Sequence, residues 1–345
     1  MKNIFKFIFL FFLLLILLLY SNKEKNEEKR DLRKQRREIR ILEKYFRLCN
    51  NKILLKQKKF KRIMNPKISV ISPIYNKEKY ILRFLRSLQN QFFDEIEIIL
   101  VDDFSKDNTI KLIKNYQKED ERIILIKHKN NKGTLICRNE GAILSKGEFL
   151  IFVDPDDILS NDILKFCYSI SKKYDFDMIR FNMYNGNGFI NLENIVKNIK
   201  RRPIYQPELS LYIFYGLGEL IQIDYFICNK FIKKNIFILA LKRINDYYLN
   251  QYMIDCEDGL INFILHRTAK SYYFIKKIGY YYILNNNSIT FQTKENYIKR
   301  IKSNFLYFKF IFQFTFNNKI EKKIAEYIFL SIFNNFKVYF FDFFK

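Results

Sequence analysis

Residues 148–157 read EFLIFVDPDD: five apolar residues, Phe149 to Val153, run directly into Asp154, Asp156 and Asp157. The apolar run has the length of a buried strand, and the proline after Asp154 marks a turn. Acids this close repel, and each raises the pKa of the others. Crowding them at the end of a core strand has two readings. Asp156 or Asp157 could be the N-cap of a helix starting at Ile158-Leu159. Alternatively, a cation belongs there, held by carboxylate oxygens.

Working outward, the same texture recurs from Pro66 on. Ile68-Ser69-Val70-Ile71-Ser72 is a strand. Asn76 to Lys79 opens a helix with Tyr80, Leu82, Leu85 and Leu88 on its apolar face. Residues 96–101 form a second strand, Ser105 to Tyr116 a second helix, and residues 123–126 a third strand. Arg138 to Ser145 reads as a helix and Glu148 to Val153 as the fourth strand. Strands alternating with helices at this spacing predict an α/β fold with a mostly parallel sheet. Ligands bind such sheets beyond the carboxyl ends of the strands. Three polar clusters sit at those ends: Pro73-Ile74-Tyr75-Asn76, Asp102-Asp103-Phe104-Ser105 and Asp154-Pro155-Asp156-Asp157. On one edge of one sheet they would form a single site.

Composition limits the alternatives. The chain has 345 residues, 49% of them hydrophobic, enough for a sizeable core. Its formal charge of +25 suggests polyanion partners. Lys, Asn, Ile, Phe and Tyr are abundant together while Gly, Pro and Trp are scarce, which reads as compositional drift as much as a built patch. A nucleic-acid binder would also have to tolerate Asp102, Asp103, Asp154, Asp156 and Asp157 repelling phosphates at the main cleft. No nucleic acid is expected. Five cysteines without a CxxC argue against a disulfide framework or zinc site. His128 and His266 match no metal motif, so a divalent metal would use oxygen ligands.

The first residues read MKNIFKFIFLFFLLLILLLYSNKEK. From Phe7 to Tyr20 there is no charge, and no small-x-small cleavage site follows. The expectation is an uncleaved single-pass anchor holding the chain to a membrane. Lys2 and Lys6 precede it, and Lys23, Lys25, Lys29, Arg30, Arg33 and Lys34 follow, mixed with acids. The positive-inside tendency puts the downstream part in the cytosol, whereas an anchor-plus-stem design puts it in a Golgi or ER lumen. Residues 21 to about 64 read as a charged helical stem.

With these elements in place, residues 66 to about 160 resemble a family 2 glycosyltransferase of GT-A fold. KISVISPIYNKEKYILRFLRSLQNQ resembles the first strand and helix of that family. EIILVDDFSKDNT resembles its VDDGSxD element, and NKGTLICRNEGAILSKGEFLIFVDPDD its GxxxARNxGxxxAxGeyixFlDsDD stretch. Weaker matches follow in CNKFIKK from Cys228, CEDGL from Cys256 and YYYILNNNSIT from Tyr280. The resemblance implies a Rossmann-like, mostly parallel sheet flanked by helices. It implies a division into anchor (1–21), stem (22–65), nucleotide-sugar-binding half (66–180), acceptor and base half (181–290) and aromatic-rich C-terminal helices (291–345).

It also implies roles. Asp154 and Asp156 would form the DxD pair that holds Mn²⁺ or Mg²⁺ against the diphosphate of a nucleotide-sugar donor. Tyr75 would stack on the base beside the Pro73 backbone; its bland reading is ordinary packing. Asp103 would hydrogen-bond the base and Asp102 support the turn; both, together with Asp107, could instead cap the following helix. Arg138 would lie near the diphosphate, or form a surface ion pair. Glu257-Asp258 matches the family's acidic pair, with Asp258 the expected general base for an inverting transfer and an exposed helix start the bland alternative. Two departures stand out: Phe104 where Gly is usual, and Cys137 where Ala is common. Lacking Trp, the chain cannot carry the QxxRW of processive members, so single transfer to a glycan, protein or lipid is expected. A dolichyl-phosphate sugar synthase and a non-catalytic sugar-nucleotide binder are the alternatives. The C-terminal face of Phe305, Tyr307, Phe308, Phe310, Ile311 and Phe314 suggests membrane-surface contact, an acceptor groove, or helices packed under the catalytic domain.

Overall fold

A computed structural model of the protein describes residues 59–185, 188–189, 204–205, 226–283 and 294–315. The chain forms two units: 58–185 with 190–345, and 1–57 with 186–189. In the smaller, only the two-residue strand Gly188–Phe189 is described. The anchor and nearly all of the stem lie outside the described residues. No helix among the described residues is long and apolar enough to cross a membrane.

The larger unit is built on strand β1 (Ile68–Ile74), where Ile68, Val70, Ile71 and Ile74 are all buried. A strand apolar on both faces belongs in the middle of a covered parallel sheet. It pairs in parallel with β2 (Ile96–Asp102) on one side and β4 (Phe149–Phe152) on the other, and β3 (Ile123–Lys127) extends the sheet beyond β2. The expected strands are therefore present and parallel. Beyond β4 the expectation of a mostly parallel sheet needs correction. Strand β9 (Lys230–Lys233) inserts antiparallel between β4 and β6 (Met178–Asn185). β10 (Ser271–Tyr282) then runs parallel to β6, with β5 (Ile158–Leu159) and β8 (Ile204–Tyr205) antiparallel on it. β9 has four residues, two of them lysine, so no periodicity announces it. Its place is set by tertiary packing: Phe231 stacks on Phe149 with centroids 4.7 Å apart.

Two apolar cores result. On one face, Val70, Ile98 and Leu100 meet α1 (Ile81–Gln89), α2 (Thr109–Gln117) and α4 (Ile163–Tyr174). On the other, Ile71, Ile99 and Val101 meet α3 (Thr134–Leu144), α5 (Lys234–Lys242), α7 (Glu257–Thr268) and α8 (Lys294–Thr315). A short helix α6 (Asp246–Leu249) precedes α7. Tyr307, Phe310 and Ile311 of α8 are fully buried against this second core, so this part of the C-terminal aromatic face packs under the domain.

The first two helices start later than the sequence pattern suggests, for one reason, while α3 starts earlier, at Thr134. The β1–α1 and β2–α2 loops are laced together by polar bonds instead of continuing as helix. Asn76 N donates to Ser105 Oγ (2.9 Å), Lys77 N to Thr109 Oγ1 (2.8 Å) and Glu78 N to Asp107 Oδ2 (3.0 Å). Lys106 N returns a bond to the Asn76 side chain (2.8 Å). Asn, Ser, Asp and Thr side chains compete with helical bonding in just this way.

Candidate active site

The ends of β1, β2 and β4 open into one cavity of about 870 Å³. Pro73, Tyr75, Asp103, Arg138, Asp154 and Asp156 line it, with Lys77, Gly133, Tyr252 and Glu257. Tyr75 is 41% exposed, so its ring is available to a flat ligand and is not consumed by packing.

Asp103 is buried at the end of β2, and its carboxylate anchors the loop before α3. Oδ1 accepts from Lys132 N (2.7 Å), Oδ2 accepts from Gly133 N (2.8 Å), and His128 Nδ1 lies 2.8 Å from Oδ1. The Cys137 thiol is a further side-chain hydrogen-bond partner of this carboxylate. Gly133 has φ +94°, a conformation glycine adopts without penalty, and a Cβ there would stand 3.2 Å from the Tyr252 ring. Asp102 does not line the cavity: it is fully buried, and both its oxygens face Ser105 N at 3.3 Å. It holds the turn.

The three acids of the opening stretch have three different settings. Asp154 Oδ1 is 2.9 Å from Arg138 Nη2. Asp156 Oδ2 is 2.8 Å from Lys77 Nζ, and its carbonyl accepts from Arg83 Nη2 at 2.5 Å. Asp157 is buried where it meets the cavity wall: its Oδ2 accepts from Tyr280 Oη (2.6 Å) and its Oδ1 from Ile283 N (2.8 Å). Burial, then the charges of Asp154 and Asp156, push the Asp157 pKa well above the usual carboxylate range. None of the three caps a helix. The two-residue strand β5 follows them, and α4 takes Asp162 as its N-cap.

Arg138, buried on α3, joins the two halves of the domain. Besides Asp154 it contacts Asp258, and Glu257 at 3.4 Å, across 120 positions of sequence. Burial works to lower its pKa, but Asp258, Asp154 and Glu257 outweigh this and hold it above the ordinary guanidinium value. Asp258 Oδ2 also accepts from Ile227 N (3.2 Å). The acid on the cavity wall is Glu257, whose pKa is pushed up to about 8 by burial and by Asp258. Burial likewise raises Asp258, against the pull of Arg138.

Sequence reasoning missed several neighbours. Lys77 lies in a stretch read only as a helix start, and Tyr252 in an unassigned loop. His128, set aside because no motif surrounds it, bridges Asp103 and Glu140 (Nε2 to Oε2, 2.6 Å). It also lies 3.9 Å from the Cys137 thiol, whose pKa burial pushes up. These groups come together only through the parallel register of β2 and β3, which no local pattern reveals.

The comparisons agree with this architecture. Residues 69–235 match the family described as glycosyl transferase family 2. Glycosyltransferase GlyG of Streptococcus pneumoniae serotype 4 is 34% identical over 122 residues, 35% of this chain and 40% of that protein. Poly(ribitol-phosphate) beta-N-acetylglucosaminyltransferase TarS of Staphylococcus aureus (strain Mu50) is 28% identical over 221 residues, 63% of this chain and 35% of that protein. The chain thus spans well under half the length of either relative. The crystal structure of S. aureus TarS in complex with UDP-GlcNAc superposes with a TM-score of 0.54 at 22% identity, covering 78% of this chain and 72% of that one. Residues 69–235 are therefore similar to family 2 glycosyltransferases, and the fold is GT-A-like.

Proposed function

We propose that the protein transfers a single sugar from a nucleotide-sugar donor, a UDP-sugar in the first instance, to a hydroxyl acceptor, with inversion and with help from a divalent cation. The observation that carries this reading is Arg138. It ties Asp154, at the end of β4, to Asp258 and Glu257 of α7, and Glu257 lines the same cavity as Asp154. TarS, a relative by sequence and fold, is described in complex with UDP-GlcNAc, which supports the choice of nucleotide. Its name as a poly(ribitol-phosphate) transferase supports a glycan-type acceptor.

Asp154 and Asp156 fit a hard cation in offering carboxylate oxygens at the cavity wall, and a bound cation would share them with Arg138 and Lys77. A bound Mn²⁺ or Mg²⁺ would supply charge neutralisation for the departing nucleotide. Tyr75 stacks on the base, and the Asp103 carboxylate, which also lines the cavity, faces its polar edge. Arg138 and Lys77 lie where a diphosphate would sit and balance its charge. Asp258, held in place by Arg138 and Ile227 N, removes the acceptor proton; Glu257 beside it is the second candidate, because it faces the cavity.

The test is UDP release from UDP-GlcNAc in the presence of Mn²⁺, comparing the full chain with Asp258→Asn and Glu257→Gln. Loss of the base should lower turnover by roughly 100-fold or more in one variant. Full turnover in both would contradict the assignment. The N-terminal anchor belongs to the same proposal: the full chain should sediment with membranes and be released by detergent, not by high salt.

A further inference from the structure

The acids of α7 sit at a helix start that has no capping side chain of its own, and its N-cap residue, Cys256, adopts a left-handed backbone (φ 64°, ψ 3°). For a residue with a Cβ this conformation costs about 1–2 kcal/mol. It persists only where the surroundings over-determine it. Here the surroundings are one turn of α8. Ile254 N donates to Ser303 Oγ (3.2 Å). Asp255 Oδ2 accepts from Arg300 Nε (3.1 Å) and Asn304 Nδ2 (3.3 Å). The Cys256 thiol lies 3.2 Å from Asn304 Oδ1.

Three successive loop residues thus each find a polar partner at positions 300, 303 and 304. That spacing places the partners on one helix face. All three partners are buried, and none lines the cavity. Nearly two turns further along, Phe310 packs edge-on to Tyr248 (5.0 Å) and Phe263 (6.1 Å), so the ridge rests on an apolar floor. An apolar α7–α8 contact would hold the helices together equally well. A fully satisfied polar network adds a single specified geometry. The loop it specifies supplies Tyr252, Met253 and Ile254 to the cavity wall and leads directly into Glu257 and Asp258.

We propose that Arg300, Ser303 and Asn304 are positioning residues: they fix the 254–256 backbone so that Glu257 faces the cavity and Asp258 faces Arg138. The inference rests on the reading of Glu257 and Asp258 as the acids of the transfer.

The test uses the full chain with Asn304→Ala, Ser303→Ala and the conservative Ser303→Thr. Amide hydrogen exchange is followed by mass spectrometry, and kcat and KM are measured for UDP-GlcNAc with Mn²⁺. Asn304→Ala should speed exchange at residues 254–260 by about tenfold while β1 and β2 stay protected. It should lower kcat by about tenfold, with KM within about threefold, and Ser303→Thr should stay within about twofold of the parent on both. In a Glu257→Gln, Asp258→Asn background, Asn304→Ala should remove no further turnover. Unchanged exchange at 254–260, or an equal rise throughout the sheet, would overturn the proposal. So would an equal loss of turnover in both backgrounds. Should Asn304→Ala fail to fold, Ser303→Ala carries the same readouts. If the parent does not turn over UDP-GlcNAc, the active-site reading fails on its own and the exchange arm decides the positioning.

Discussion

Asp154, Asp156 and Asp157 are neighbours that do different things, and the difference comes from what each one faces. Asp157 is the structural member. Replacing it with Ala strips the acceptor from the buried Tyr280 hydroxyl and from Ile283 N, which should cost about 1–3 kcal/mol, read as a lower midpoint in urea unfolding. Asp156→Ala removes a partly buried ion pair with Lys77 at the cavity wall and should cost less, about 1 kcal/mol. Equal losses would contradict this division. At this scale the presence of Asp154 and Asp156 on one cavity wall was legible through a motif. The turn into β5 was not, because Ile158-Leu159 reads equally as strand or helix. Nor was the reach of Arg138 to Asp258, which depends on how α3 and α7 pack.

The elements explain the main departure from the family pattern. Phe104 has φ 73°, the left-handed region where glycine is at ease. The ring is not idle: Lys106 Nζ lies 3.2 Å from its centroid, a cation–π contact of about 0.5–1 kcal/mol at an exposed site. Phe104→Gly therefore relieves strain, loses that contact and loosens the unfolded chain, and should be near neutral. Phe104→Val keeps a strained backbone, now with a β-branched side chain, and loses the contact. It should destabilise by at least about 1 kcal/mol. Thermal unfolding of the two variants checks the order; a more stable Val variant would refute it. Gly141 shows the opposite case of a retained glycine, since a Cβ there would stand 2.5 Å from Ile71 Cγ2 where α3 crosses β1. The βα alternation as far as β4 was readable because each strand is short and mostly apolar and is followed by a helical pattern. β9 and the two-residue β5 were not, since their pairing is tertiary.

For the whole molecule, the buried acids at the junction of the two halves set a pH dependence. Glu257 has its pKa pushed up to about 8, against about 4.3 in an unfolded chain. The folded state therefore holds a proton that the unfolded state releases. The stability this gives is complete below about pH 4.3 and is lost as pH rises toward about 8. Asp157 and Asp258 are raised too and act with the same sign. Asp107 and Glu140 are lowered, so their effect falls at more acid pH. The unfolding temperature should thus decline between pH 5 and 8, and Glu257→Gln should flatten the decline; a rise with pH would contradict the assignment. The aromatic C-terminal segment had three readings from sequence alone, because burial of a Phe- and Tyr-rich face does not reveal what covers it. In the structure, α8 covers α7 and the second core.

The most direct test of the central claim is a calorimetric titration of the full chain with UDP and with GDP, each with and without Mn²⁺, repeated on Asp156→Ala. The account predicts Mn²⁺-dependent binding of UDP, weakened at least about tenfold in the variant. A folded protein that binds neither nucleotide, or binds UDP equally well in the variant and without metal, would contradict the reading of Asp154 and Asp156 as the donor's cation site.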